Sequence, residues 1–270
     1  MPRQITAFSN PLVKQVRGLR EKKHRRAEGM FMAEGLRILT EARETGRLPQ
    51  ILFYAAGAAH PLLGALIEAT EAAGGDVVET NADILGKLTA KDNPQTVIGV
   101  FPLLDVALDR IDRDAAPLWI VAQALRDPGN LGTILRTGDA VGAGGLILVD
   151  DCADPFSVEA VRASMGALFT QAIATASWKE FLAWLRSGPG QLVGTSLAAQ
   201  ADYQAPDYQR PCFILVGNEQ AGLPTAYAER CDLLVKMPML GKADSLNAAV
   251  ATAVMAYEVI NQWRRPLAVG

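Results

Sequence analysis

The feature that most restricts this chain is a series of short, almost uninterrupted apolar segments in its second half, separated by longer amphipathic stretches. Leu118 to Ala122, Leu146 to Val149, Gln171 to Ala174, Leu192 to Thr195, Phe213 to Val216 and Leu233 to Val235 are strand-length and mostly rich in Ile, Leu and Val. A strand with one wet face alternates apolar and polar residues, whereas a strand of a parallel sheet, covered by helices on both faces, does not. The last intervening stretch, from about Ser245 to Trp263, carries Leu246, Val250, Val254, Met255, Val259 and Ile260 at helical spacing. Residues 118–270 are therefore expected to form an α/β domain around a parallel sheet, with a loose tail after Pro266.

The first half repeats the alternation on a smaller scale. Strands are predicted at Met30 to Ala33, Ile51 to Tyr54, Asp76 to Glu79 and Val97 to Phe101, with helices at Leu36 to Thr45, Leu62 to Ala73 and Ala82 to Leu88. This makes a smaller α/β domain over residues 1–105, of ordinary size. Residues 106–117, with acids, Arg110, Arg113 and little periodicity, are the expected linker.

Charge is distributed unevenly. The chain carries a net charge of −3, yet its first 26 residues hold eight bases, Arg3, Lys14, Arg17, Arg20, Lys22, Lys23, Arg25 and Arg26, against Glu21 alone. A basic arm on an acidic body suits a protein that meets phosphates with one face. No apolar run is long enough to span a bilayer, and the N-terminus lacks the apolar stretch of a secretory signal, so a cytoplasmic protein is expected. The three cysteines, Cys152, Cys212 and Cys231, never pair as C-x-x-C, and His24 and His60 are the only histidines. Neither a metal site nor a disulfide framework is expected.

In an open parallel sheet, ligands bind beyond the carboxyl ends of the strands, and three polar loops fall there. The first, Arg126 to Thr133, holds Asn130, a good helix N-cap, and leads into a helix carrying Arg136, a residue suited to a phosphate or to a hydroxyl beside one. The second, Val216 to Pro224, holds Gly217, which would let backbone approach a flat ligand, and Glu219. The third, Met237 to Asn247, ends in Ser245, a candidate cap, and Asn247. A run of glycines, Gly142, Gly144 and Gly145, superficially suggests a nucleotide fingerprint, but it follows a helix and precedes a strand, the reverse of that order. Its reading is structural.

Taken together and in order, the loops resemble the three motifs of the SpoU/TrmH family of RNA ribose methyltransferases, in the SPOUT superfamily. Asn130 to Thr137 looks like the first motif, Leu215 to Leu223 the second, and Met237 through Ala249 the third. The small N-terminal domain with its Phe-x-x-Glu-Gly segment (Phe31 to Gly35) is similar to members that methylate ribosomal RNA. Gln220 stands where the family commonly has glycine, and Ala248-Ala249 where it has Val-Ser. The resemblance implies a deep trefoil knot holding S-adenosyl-L-methionine, with Thr195, Leu197, Leu215, Gly217, Met237 and Leu246 around the cofactor. It implies catalytic roles for Asn130, Arg136, Glu219, Ser245 and Asn247, and a homodimer in which Arg136 serves the partner's cofactor. Lys14, Arg17, Arg20, Lys22, Lys23, Arg25 and Arg26 are the expected RNA contacts. The alternatives are a transfer RNA 2′-O-methyltransferase and a non-catalytic RNA-binding or ribosome-assembly protein retaining the fold. Arg162 and Ser164 fit either RNA contact or helix packing.

Overall fold

The computed structural model describes residues 3–264, so the tail after Pro266 lies outside the described residues. The chain divides into two compact units.

The first unit contains β1 (Arg3–Gln4), α1 (Pro11–Gly18), α2 (Lys22–Glu28), β2 (Met30–Glu34), α3 (Leu36–Glu44), β3 (Ile51–Ala55), α4 (Pro61–Ala72), β4 (Asp76–Thr80), α5 (Ala82–Thr89) and β5 (Val97–Pro102). Its sheet has the order β1-β4-β3-β5-β2, with β5 antiparallel to both of its neighbours. Val13, Val16 and Leu19 from the basic arm are buried in its core with Phe53, Val78, Ile84 and Leu88. The arm is thus amphipathic, apolar side inward and charged side outward.

The second unit begins at Asp105 and includes two 3-10 turns, Leu108–Arg110 and Arg113–Ala115. It continues with β6 (Leu118–Gln123), α6 (Pro128–Val141) and β7 (Gly145–Val149). Next in the chain come α7 (Val158–Ser164) and α8 (Ala167–Thr170), then β8 (Ala172–Ala176), α9 (Trp178–Arg186), β9 (Gln191–Thr195), β10 (Ala201–Asp202), β11 (Cys212–Val216), α10 (Thr225–Ala228), β12 (Leu233–Lys236) and α11 (Ala248–Arg264). The seven strands run parallel in the order β10-β12-β9-β11-β6-β7-β8, and all of β6, β7 and β11 is buried, as their unbroken apolar sequences demand.

Two boundaries differ from expectation. Residues 106–117 are packed into the second unit, where Ile111 is buried and the Arg113 guanidinium lies 4.3 Å from the Trp184 ring and donates to the carbonyl of Leu185. Residues 154–170, expected in the C-terminal domain, belong to the first unit. The reason is apolar: Phe156 and Phe169 pack on Phe31, and Phe169 on Phe101. An ion pair adds to it, with Asp154 2.6 Å from the Arg25 guanidinium. Within α7, Ser164 is buried and donates to the Val161 carbonyl, a packing role, while Arg162 is exposed.

The glycine run is structural. Gly142, at φ +70°, caps α6 in the left-handed conformation, and a Cβ on Gly145 would stand 2.0 Å from the Ala172 carbonyl oxygen.

Candidate active site

The site forms where β6, β9, β11 and β12 end. Asp127, not Asn130, caps α6, its carboxylate accepting from the Asn130 N–H at 2.6 Å. Asn130 is then two residues inside the helix, and its side chain is free for other work. Its oxygen accepts from Asn247 Nδ2 at 2.9 Å, and its Nδ2 donates to Glu219 Oε1 at 3.2 Å. A carboxylate only accepts, so this pairing fixes which way round the Asn130 amide lies. One residue from each loop is joined into a chain, Asn247 to Asn130 to Glu219.

Glu219 also accepts from the backbone N–H groups of Arg126 (3.1 Å) and Asp127 (3.0 Å). Burial would raise the pKa of its carboxyl, but those two N–H groups and the Asn130 amide outweigh burial and hold it below the ordinary value. It is therefore a carboxylate at neutral pH, clamping the first loop onto the second. Asn218, which sequence reasoning passed over, assists: its Nδ2 donates to the Ala124 carbonyl at 2.8 Å, and its oxygen accepts from the N–H groups of Gln220 and Ala221. The signal available was its place beside Glu219 in a tight Gly-Asn-Glu turn.

Gly217 lines the larger cavity of the site and also shapes its own loop. A Cβ there would stand 2.4 Å from the backbone of Gly222 and Leu223, so glycine is required for the loop to close on itself. The Asn218 and Gly222 backbones then bond reciprocally at 3.1 and 2.9 Å. In the third loop, Asn247 rather than Ser245 caps the last helix, accepting from the N–H groups of Ala249 and Val250. Ser245 is exposed.

Two adjoining cavities open here. One, of about 490 Å³, is lined by Thr195, Leu197, Gly217, Met237 and Leu246, among others. Leu215 does not line it: it is fully buried in β11, and its carbonyl accepts from Thr195 Oγ1 at 3.4 Å. The second, of about 440 Å³, is lined by Arg126, Asn130, Glu219, Ser245 and Asn247. Glu219, Ser245 and Leu246 border both. Arg136 lines neither cavity; it is exposed, on α6 two turns beyond Pro128, and none of the ion pairs among the described residues engages it.

The basic arm separates into two kinds of residue. Lys14, Arg17, Arg20, Lys22, Lys23 and Arg26 are exposed. Arg25 is only 3% exposed, with its guanidinium on Asp154 and on the carbonyls of Leu19 and Arg20, so it cannot meet phosphates and is a structural residue. Burial raises the thiols of Cys152 to about 11 and of Cys212 and Cys231 to about 12, which leaves all three protonated and unreactive at neutral pH. Among the described residues no group of three His, Cys, Asp or Glu side chains is arranged to hold a metal ion.

A parallel sheet with a three-loop polar cluster at its strand ends defines a ligand-binding α/β domain. Residues 117–257, more than half of the chain, match the SpoU rRNA Methylase family, and residues 10–99 match the MRM3-like substrate binding domain. The chain belongs to the SpoU family. A Sinorhizobium meliloti rRNA methyltransferase solved with AdoMet bound is 41% identical, with a TM-score of 0.90 over 97% of this chain and 99% of that one. An uncharacterized tRNA/rRNA methyltransferase of Synechocystis is 31% identical, covering 96% of this chain and 93% of the relative. The 23S rRNA guanosine 2′-O-methyltransferase RlmP of Bacillus subtilis is 29% identical over 95% of this chain and 99% of its own.

Proposed function

We propose that this protein transfers the methyl group of S-adenosylmethionine to a ribose 2′-hydroxyl of ribosomal RNA. The observation that carries the reading is the Asn247–Asn130–Glu219 chain, which unites the three family motifs at the border of two adjoining cavities. The larger cavity suits the cofactor: Leu197, Met237 and Leu246 supply apolar walls, and residues 237–247 lie outside strand and helix, so their backbone polar groups are not used up by a ladder. When bound, the cofactor supplies an already activated sulfonium methyl. The smaller cavity, rimmed by Asn130, Ser245 and Asn247, would take the ribose.

The protein's part is orientation and help for a weakly acidic hydroxyl. Glu219 and Asn218 hold the first loop, Asn130 and Asn247 fix the rim, and Ser245 offers a hydroxyl to the substrate. Arg136 would bind the phosphate next to the target ribose and favour the alkoxide. A guanidinium does not give up its proton at working pH, so the hydroxyl proton passes to phosphate or solvent. Because Arg136 lines neither cavity of its own chain, we assign it to the site of a second copy, which makes the working unit a homodimer. We assign to the loops around β11 and β12 the threading of a trefoil knot, a reading favoured by the interleaved strand order β10-β12-β9-β11. A ribosomal substrate favours a cytoplasmic location.

Purified protein, S-adenosylmethionine carrying a labelled methyl group and ribosomal RNA should give label at a ribose 2′-oxygen. Arg136→Ala should bind cofactor and leave the RNA unmethylated, about 10²–10³-fold down. Mixing Arg136→Ala with a Gly217→Val chain, each inactive alone, should restore part of the activity. No methyl on RNA from the wild type would sink the function, and failure of the mixture would sink the shared site.

A further inference from the structure

The first unit has a cavity of its own, of about 780 Å³, remote in sequence from the three motifs. Phe8, Arg17, Arg20, Asp83, Lys87 and Asp92 line it. Phe8 is 48% exposed, although nothing in core packing requires an aromatic ring there, and the Lys87 ammonium lies 5.7 Å from its ring centroid. Arg17 follows Val16 in α1, and Arg20 lies just past the end of that helix, after Leu19; both point outward because Val16 and Leu19 are buried. None of the ion pairs among the described residues engages Arg17, Arg20 or Lys87. Lys91, also on the wall, is already neutralised by Glu34.

An exposed ring with three cations outside any ion pair among the described residues, around one hollow, matches a nucleotide within a strand: its base offers a π-face to the ring, and the two phosphates that flank it offer charge to the cations. A duplex offers phosphates but keeps its bases stacked, so it would leave the ring unused. The two carboxylates argue against a pocket for phosphate alone, since they repel it; they are acceptors suited to the amino groups of a base edge.

We propose that this cavity holds one unstacked nucleotide of single-stranded RNA, its base on Phe8 and its flanking phosphates on Arg17, Arg20 and Lys87. The proposal rests on the reading of the protein as an RNA modifier and adds a second point at which the substrate is held, apart from the ribose to be methylated.

The test uses the full-length protein and a fluorescein-labelled single-stranded RNA heptamer of mixed sequence, with a duplex of the same sequence as control. Phe8→Ala should weaken heptamer binding by about 5- to 150-fold, the range for one base–aromatic stack, and Phe8→Tyr should restore it. Arg20→Ala should weaken binding and flatten the log–log salt slope by about 0.7, the value for one single-strand phosphate. Duplex binding should ignore Phe8→Ala, which also reports that the first unit is folded in that variant, and cofactor affinity by calorimetry should be unchanged in every variant. Wild-type heptamer binding that Phe8→Ala and Arg20→Ala both leave intact would overturn the pocket while leaving the methyltransferase reading standing. Absence of heptamer binding by a wild type that still methylates ribosomal RNA would also overturn the pocket. A wild type that neither binds nor methylates RNA would remove both.

Discussion

The motif loops and the basic arm both gather polar side chains, but they differ in whether those side chains already have partners. Glu219, Asn130 and Asn247 are bonded to one another and to backbone within the protein. Five of the arm's cations, Lys14, Arg17, Arg20, Lys22 and Arg26, enter none of the ion pairs among the described residues. The first group shapes a surface before any ligand arrives; the second is left for a ligand to satisfy. Arg25 and Arg136 exchange the expected roles, for Arg25 sits in the arm yet is fully engaged, and Arg136 sits in a motif yet enters none of the ion pairs among the described residues.

The contrast between engaged and unengaged side chains is sharpest at Arg25. Removing one partner of a buried ion pair costs about 3–5 kcal/mol, so Arg25→Ala should lose that much in urea unfolding, while Arg26→Ala stays within about 0.5 kcal/mol. Equal stabilities would abolish the distinction. The exposed cations should appear in salt: if all six, Lys23 with them, meet phosphates, RNA affinity falls by about 10³ between 50 and 200 mM salt. A flat response would free the arm from RNA. A smaller effect is expected at Asn130. Asn130→Ala leaves the Glu219 carboxylate and the Asn247 amide each short of a partner, at about 1–3 kcal/mol, and should lower methyl transfer about tenfold or more while RNA affinity is retained. Equal losses in turnover and RNA affinity would show that Asn130 is not simply part of a preformed frame.

The smallest effect is with acid. The Glu219 carboxyl titrates below its ordinary value of 4.5, so the clamp is fully present above that value and is lost as pH falls through the lower, folded-state value. Cofactor affinity should therefore be flat from pH 8 to about 5 and decline only below about 4.5. Glu219→Gln should abolish that acid limb; an unchanged limb would assign it to another group.

Much of this was legible because burial leaves a strong trace in sequence. The apolar runs of β6, β7 and β11 foretold strands covered on both faces, and the three loops fell where a parallel sheet leaves room. The edge strands β1 and β10, two residues each, were not foreseen, since so short a segment has no periodicity. Capping was misplaced twice, at Asn130 for Asp127 and at Ser245 for Asn247, because several good caps stand within a few residues and only three-dimensional geometry chooses among them. Arg25 looked like its neighbours because charge is visible in sequence and a partner 129 residues away is not. The same holds for residues 154–170: an amphipathic helix declares an apolar face, not the core that receives it.

That excursion of residues 154–170 bears on how the protein is born. An N-terminal unit made of one continuous stretch could close as soon as its last strand left the ribosome, after β5. Here Phe31, Phe101 and Arg25 must wait some fifty residues more for Phe156, Phe169 and Asp154, until β6, α6 and β7 have already been synthesised. The first unit cannot be completed until a part of the second has been made. A nascent chain arrested near residue 150 would expose an unfinished aromatic surface, a natural foothold for chaperones.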